Sequence, residues 1–350
     1  MARLKPSVEN MVRKTTVVGK FWNNKNVLIT GFEGFLGSNM TKRMIAYNAN
    51  VVGLDIVTGR KETILTKEDY RKMKVINGSV TDMKTLRSVI RDKKIKYIFH
   101  LAAEAIVSEC YKDPLKAFSS NICGTWTILE AVRQTPGVEA LIVGSSDKAY
   151  GIHNDLPYVE DSALKGIHPY DVSKSCADLI AQTYFHTYKL PVVITRCGNI
   201  YGPGDFNFSR LVPDVVSSVL CDKTFFIRSD GKFVRDYIFV DDVVDGYLIL
   251  AEKTVKNKLF GEAFNLSDGK PVKVLELVND VYKIAGVRPN YKVLNTAKYE
   301  IPKQNLSNVK SGKMLGWVPS YGLKEGLKIT LNWYKQNVDQ YGKKVRPKTA

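Results

Sequence analysis

Residues that staple, ligate or span membranes are scarce in this chain. Its 350 residues include 5 cysteines and 4 histidines. Cys110, Cys123, Cys176, Cys197 and Cys221 are scattered, odd in number and never in Cys-x-x-Cys spacing. That pattern excludes a disulfide framework and a zinc site, and fits the reduced, packed thiols of a cytoplasmic protein. His100, His153, His168 and His186 stand alone and read as scaffold or surface residues. No run of about 18 apolar residues exists, so no membrane span or membrane partner is expected. Met1 to Lys25 has no apolar signal core and reads as a basic, irregular extension, with residues 1–24 outside the first domain. There is no internal repeat, and the only biased segment is the lysine-rich tail, 341–350. Acidic residues are also few, 35 against 52 lysines and arginines, for a net charge of +17. Basic domains gain affinity from phosphates. Here the lysines are spread along the chain without a recognition motif, so nucleic acid is not an expected partner. Small anionic ligands suit the charge better.

What is present begins with a nucleotide-binding pattern. Asn26-Val-Leu-Ile-Thr30 has strand character, Gly31-Phe-Glu-Gly34-Phe-Leu-Gly37 follows, and a helix is expected from about Ser38 to Asn48. A strand, a glycine turn and a helix form the unit whose helix N-terminus receives a pyrophosphate. Gly31 permits the tight turn, Gly34 the approach of phosphate, and Gly37 the packing of helix on strand. The spacing is Gly-x-x-Gly-x-x-Gly rather than the standard dinucleotide fingerprint. A second strand, Asn50 to Asp55, ends in an acid about 20 residues past the glycines, where a carboxylate meets ribose hydroxyls. Asp55 favours NAD over NADP, because a carboxylate repels a ribose phosphate. Arg60 and Lys61 nearby could answer such a phosphate, or be ordinary loop charges.

Strand and helix patterns then alternate. Lys74–Ser79, Tyr97–Ala102, Ala140–Ser145 and Pro191–Arg196 read as strands, and Pro114–Gln134 as one long helix. Apolar runs separated by amphipathic helices predict an α/β fold, a Rossmann-type doubly wound parallel sheet over residues 25–198. Chemistry in such a sheet gathers at the carboxyl ends of its strands. After Asn199 the periodicity becomes mixed. Residues 199–235 and 269–340 are expected to form a smaller mixed α/β lobe, with 236–268 returning to the first domain. Phe233–Val240, which crosses into that return, and Ala263–Ser267 read as strands.

One strand end is rich in reactive groups. Ser146, Asp147 and Lys148 follow one another, and Tyr170-x-x-x-Lys174 comes next. Side chains four apart on a helix share a face, so the lysine's charge can lower the phenol's pKa toward that of a working base. The Ser146–Lys148 trio supplies acid and base groups beyond what hydride transfer needs. A plain Asp147–Lys148 ion pair with structural duty is the competing account.

Taken together, these motifs resemble the extended short-chain dehydrogenase/reductase family, whose members act on nucleotide sugars. The resemblance rests on the glycine turn, His100-Leu-Ala-Ala103, Asn121-Ile-Cys-Gly-Thr125, Tyr170-x-x-x-Lys174, Arg235-Asp-Tyr-Ile-Phe-Val-Asp-Asp242 and Leu315-Gly-Trp-x-Pro319. It spans about Phe21 to Tyr334. Within the family, Ser146-Asp147-Lys148 is similar to the sugar-nucleotide 4,6-dehydratases. CDP-glucose 4,6-dehydratases come nearest, because most others carry Glu where Lys148 stands. Two departures are Ser79, where an acid usually meets the adenine, and Ser146, where threonine is usual. The resemblance implies a cytoplasmic homodimer with a tightly bound, recycled NAD and a nucleotide-diphosphate sugar substrate. It assigns the cofactor to Gly31, Phe32, Gly34, Phe35, Leu36, Gly37, Asp55, Ser79, Val80, Leu101, Ala102, Ala103, Asn121, Ser145, Tyr170, Lys174 and Ile200. Ser146, Asn199, Arg210 and Arg235 are assigned to the substrate, and no metal is expected. Arg235 could instead form a surface pair with Asp241 or Asp242.

Chemistry consistent with these groups starts at the sugar's C4. Tyr170 takes the C4 hydroxyl proton, Ser146 bonds the C4 oxygen, and Lys174 bonds the nicotinamide ribose. The 4-ketone acidifies the C5 proton, Lys148 removes it, and Asp147 protonates the departing C6 hydroxyl. Lys148 must then be neutral and Asp147 protonated, which burial favours. A C4-epimerase or 4-oxidase of the same fold would need NAD, Ser146, Tyr170 and Lys174, but not the Asp147–Lys148 pair. A catalytically idle NAD- or sugar-nucleotide-binding regulator would keep the glycines and could lose Tyr170 and Lys174.

Overall fold

The computed structural model describes residues 19–297 and 300–337. The lysine-rich tail and most of the N-terminal extension lie outside the described residues. Strands β1 (Asn26–Thr30), β2 (Asn50–Asp55), β3 (Lys74–Asn77), β4 (Tyr97–His100), β5 (Ala140–Gly144) and β6 (Val192–Cys197) form a parallel sheet in the order β3-β2-β1-β4-β5-β6. A late strand, Ala263–Leu266, adds in parallel beyond β6 and completes seven strands. The inner strands are apolar on both faces because helices cover both. Val27 and Ile29 enter one core with Met40, Phe99 and Leu248, while Leu28 enters the other with Leu86, Ile98 and Ile128. Strand order reverses between β2 and β4, on either side of β1, which opens a crevice at the strands' carboxyl ends.

The first domain begins earlier than residue 25. Trp22 is fully buried, 5.0 Å from the Tyr97 ring in an edge-on contact, so this aromatic is part of the domain and not of a loose extension. The expected helix over Pro114–Gln134 is interrupted. Pro114–Phe118 and Gly124–Arg133 are helical, and a wider π-type turn, Ser119–Cys123, separates them. Within that turn Thr125 Oγ1 bonds the Asn121 carbonyl at 2.6 Å, while the Asn121 amide reaches Glu104 and Ser173. The expected strand Phe233–Val240 also divides, because the Asp236 carboxylate turns inward to Ser267 and the Leu306 N–H. Val234–Arg235 pairs with Val272–Lys273, Tyr237–Phe239 pairs with Asn199–Tyr201, and Val240 already begins the helix Val240–Asn257. That helix and the Ala263–Leu266 strand return to the large sheet.

A third core lies around Tyr201, Val215, Phe225, Phe239, Val278, Leu331 and Tyr334. It is built by the helices Leu211–Leu220, Val274–Ala285 and Leu323–Gln336. This lobe faces the carboxyl ends of the sheet strands.

Candidate active site

A cleft of about 1800 Å³ runs between the strand ends and the second lobe. At one end is the glycine turn. Gly31 has φ +70°, and a Cβ there would sit 2.8 Å from the Ala102 backbone nitrogen. A Cβ on Gly37 would sit 2.0 Å from the Gly31 carbonyl oxygen. Both must be glycine for the Phe35–Ala46 helix to start tight against β1 and β4. Gly34 precedes that helix, and no side chain caps it, leaving its first N–H groups for an anion. Asp55 closes β2 beside it, with Arg60 Nη2 donating to Asp55 Oδ1 at 2.9 Å. Glu33 holds that loop by accepting from the Gly59 and Arg60 N–H groups, so Arg60 is here a partner of Asp55.

Gly31, Gly34, Phe35, Leu36, Gly37, Asp55, Ser79, Val80, Leu101, Ala102, Ala103, Ser145 and Ile200 all line the cleft. Phe32 and Asn121 do not. Phe32 is fully buried in the core, and Asn121 is spent bracing Glu104 against Ser173. The Ser79 hydroxyl is shared with Thr81 at 2.7 Å. Ser145 lines the cleft, and its Oγ is buried without a hydrogen-bond partner among the described residues. His100 is scaffold, bonded to Thr30 and Thr125, and burial pushes its pKa down to about 3.

Ser146, Asp147, Lys148, Tyr170 and Lys174 come together where β5 ends and the helix Pro169–Tyr188 begins. Ser146 caps the short turn Asp147–Tyr150. Its Oγ accepts from the Lys148 N–H at 3.2 Å and lies 3.1 Å from Asp147 Oδ1. Asp147 is 3% exposed, and its Oδ2 has no partner among the described residues. Burial raises the Asp147 pKa against the opposing pull of Lys148, Ser146 and Arg235. The Lys148 pKa is lowered, first by burial, against the Asp147 charge. Its Nζ donates to Gln304 Oε1 at 2.9 Å.

The Tyr170–Lys174 pair differs from expectation. Burial raises the Tyr170 pKa, and the opposing influences are the Ser146 hydroxyl and the Arg210 charge. Lys174 Nζ donates instead to the Gly144 carbonyl at 2.9 Å and lies 6.0 Å from the Tyr170 ring centroid. Burial brings the Lys174 pKa down to about 8. Sharing a helix face therefore puts the two groups in one pocket, but desolvation governs both.

Asn199, Arg210 and Arg235 line the cleft on the side of the second lobe. Arg235 is 6% exposed and bonds the Val234 and Pro302 carbonyls and Glu300, whereas Asp241 pairs with Arg43. The proposed surface partners of Arg235 are thus replaced by Glu300. Arg210 pairs with Asp205 at 3.2 Å, and the Asn199 amide donates to the Asp236 carbonyl at 3.3 Å. Arg228, Glu300, Asp171 and Gln304 were not anticipated. Arg228, Glu300 and Asp171 line the cleft, while Gln304 touches Lys148 from behind. Only residue type could have flagged Arg228, and nothing in the pattern around Gln304 announces it. Among the described residues no grouping suits a metal ion and no helix is long and apolar enough to cross a membrane.

Comparison with known proteins agrees with this geometry. Residues 27–267 match the NAD dependent epimerase/dehydratase family. A trifunctional UDP-glucose 4,6-dehydratase/3,5-epimerase/reductase of Arabidopsis thaliana is 28% identical over 91% of this chain and 48% of its own length. The chain thus spans about half the length of the first relatives it matches. CDP-glucose 4,6-dehydratase of Salmonella typhimurium is 28% identical over 90% of this chain and 92% of its own. Among solved structures, an epimerase of Methanothermobacter thermautotrophicus superposes with a TM-score of 0.85 at 25% identity, covering 94% of this chain and 97% of that one. A dTDP-glucose 4,6-dehydratase of Bacillus anthracis, in complex with NAD, does so with a TM-score of 0.81 at 27% identity, covering 90% and 98%.

Proposed function

The chain belongs to the NAD-dependent epimerase/dehydratase family, and on that premise we propose that it is a sugar-nucleotide 4,6-dehydratase, with CDP-glucose the favoured substrate. Held at the Gly31–Gly37 turn and Asp55, NAD would supply a hydride acceptor for the sugar's C4 and, once reduced, a hydride donor for C6. The observation that carries the proposal is the Asp147–Lys148 turn. There burial favours the protonated carboxyl and the neutral amine side by side, the two states that elimination of water requires.

In this mechanism Tyr170 Oη takes the proton of the C4 hydroxyl; burial opposes the phenolate this requires, and Ser146 and Arg210 are the groups that favour it. Lys148 Nζ then takes the C5 proton. The C6–O bond breaks as Asp147 gives its proton to the departing hydroxyl, which leaves as water. Lys148 returns a proton to C5 as C6 is reduced, and the proton that Tyr170 took from the C4 hydroxyl makes good the one that Asp147 gave, so the cycle closes. Arg210 and Arg235 hold the diphosphate, as bidentate guanidinium groups suit it. CDP-glucose is favoured because a lysine at position 148 resembles that group of dehydratases.

The test is Lys148→Ala turned over in heavy water. The variant should still oxidise C4, since Ser146, Tyr170 and Lys174 are untouched, and then stall with reduced nicotinamide persisting. Wild type should carry solvent deuterium at C5 and lose the C6 hydroxyl. A C4-epimerase leaves C5 unexchanged in both proteins, so a wild-type product without deuterium at C5 would reject the dehydratase.

A further inference from the structure

Lys148 is seated by a residue 156 positions away in the chain. Gln304 is fully buried, its Oε1 accepts from Lys148 Nζ at 2.9 Å, and its Nε2 has no partner among the described residues. We infer that Gln304 is a positioning residue whose neutral amide aims the Lys148 amine at the sugar without adding a charge that would hold it as ammonium. The inference rests on the base role proposed above for Lys148.

The segment that carries Gln304 is fixed from several sides. The Gln304 N–H bonds the Val234 carbonyl at 3.0 Å, and the Val234 N–H bonds Pro302 at 2.9 Å. One residue on, the Asn305 carbonyl accepts from Tyr158 at 2.8 Å, and the Leu306 N–H bonds Asp236 Oδ2 at 3.2 Å. With its backbone anchored and its side chain fully enclosed, Gln304 gives the flexible lysine stem one fixed end point.

The charges around Lys148 explain why an amide suits this place. Asp147 on its own turn, Asp171 on the Pro169–Tyr188 helix and Glu300 on the Gln304 segment favour the ammonium. Arg235 and burial oppose them. A carboxylate at 304 would add an anion at hydrogen-bonding distance and move the balance toward a permanently charged amine. The amide avoids that, and it serves both protonation states. Its oxygen accepts from an N–H, which ammonium and neutral amine both carry, so the lone pair of the neutral amine stays free for the C5 proton.

The test uses holoenzyme and whichever of CDP-, dTDP-, UDP- and GDP-glucose the wild type turns over. Deuterium entry at C5 is followed against pH for wild type, Gln304→Glu and Gln304→Leu, together with bound-NAD content. Gln304→Glu should move the acid limb of the profile upward by about one pH unit or more, as a new opposite charge does. Gln304→Leu should slow C5 exchange about 10²-fold, the cost of a misaimed group, while C4 oxidation on substrate addition stays near wild type. An unmoved acid limb in Gln304→Glu would overturn the inference. So would C4 oxidation falling in step with C5 exchange, or loss of NAD and fold in both variants, since Gln304 would then be framework. A wild type without C5 deuterium removes the base role itself, a separate and recognisable failure.

Discussion

Lys174→Met should change how stability depends on pH, and by an amount the structure supplies. Lys174 is 8% exposed, and burial lowers its pKa from 10.5 to about 8. At 1.36 kcal/mol per unit, that drop is worth about 3 kcal/mol. Below pH 8 both folded and unfolded chains carry the proton, and the folded state bears the full desolvation penalty. Between about pH 8 and 10.5 the folded state has released the proton while the unfolded state still holds it. The unfolded state then binds more protons, so stability rises with pH in that window. Methionine removes the charge and the penalty with it. It also removes the hydrogen bond to the Gly144 carbonyl, an offset of about 1 kcal/mol that does not depend on pH. The stability of the variant minus that of wild type should therefore fall by about 3 kcal/mol from pH 7.5 to pH 10.5. Urea unfolding of dinucleotide-free protein across that range measures the gap. Tyr170, Cys110, Cys197 and Lys148 also titrate abnormally, but they are present in both proteins and largely cancel in the difference. A gap that stays constant with pH would refute a neutralised, desolvated Lys174.

Tyr170→Phe should retain fold and bound NAD, because the ring keeps its packing, yet lose C4 oxidation by about 10²–10⁴-fold. Absence of reduced-nicotinamide absorbance on adding sugar nucleotide checks it, and near-normal turnover would make Tyr170 a packed aromatic. Arg196→Leu should cost about 3–5 kcal/mol in urea unfolding, since it strands a buried carboxylate. Arg196 and Asp178 are 2% and 0% exposed and joined by two bonds, at 2.8 and 2.9 Å. Adding Asp178→Leu should recover much of that loss.

The parallel sheet was legible because strands buried on both faces carry apolar runs at their centres, as Val27–Ile29, Tyr97–Phe99 and Val192–Ile194 do. The glycine turn was legible because its residues are constrained by contacts within a few positions. What escaped depends on contacts distant in sequence. The break at Ser119–Cys123 follows from Asn121 reaching Glu104 and Ser173, and periodicity carries no trace of those bonds. The division of Phe233–Val240 follows from Asp236 meeting Leu306, 70 residues on. Gln304 is the extreme case, a polar residue in an unpatterned segment whose partner is 156 residues away. Helical spacing correctly put Tyr170 and Lys174 in one pocket, but it could not register that the pocket is dry enough for desolvation to outweigh their mutual influence.

The arrangement of Asp147 and Lys148 bears directly on whether they form an ordinary ion pair. Arg196 and Asp178 illustrate what such a pair needs in this protein. Both carboxylate oxygens are engaged by Nε and Nη2, Tyr150 and the Glu160 carbonyl accept from Nη1, and the Arg196 pKa is raised. The charged forms are stabilised, and the pair braces the strand against its helix. Asp147 and Lys148 are neighbours in sequence, yet their side chains turn to different partners, one oxygen to Ser146 and the amine to Gln304. The second Asp147 oxygen is left without a partner among the described residues. Leaving a buried carboxyl oxygen unsatisfied costs about 1–3 kcal/mol, a cost that a structural pair would remove. Here the turn sits at the carboxyl end of β5, opens into the cleft, and favours the uncharged form of each group. That is unfavourable for holding a fold together, and it suits an acid and a base that must each be ready to exchange a proton with a bound molecule.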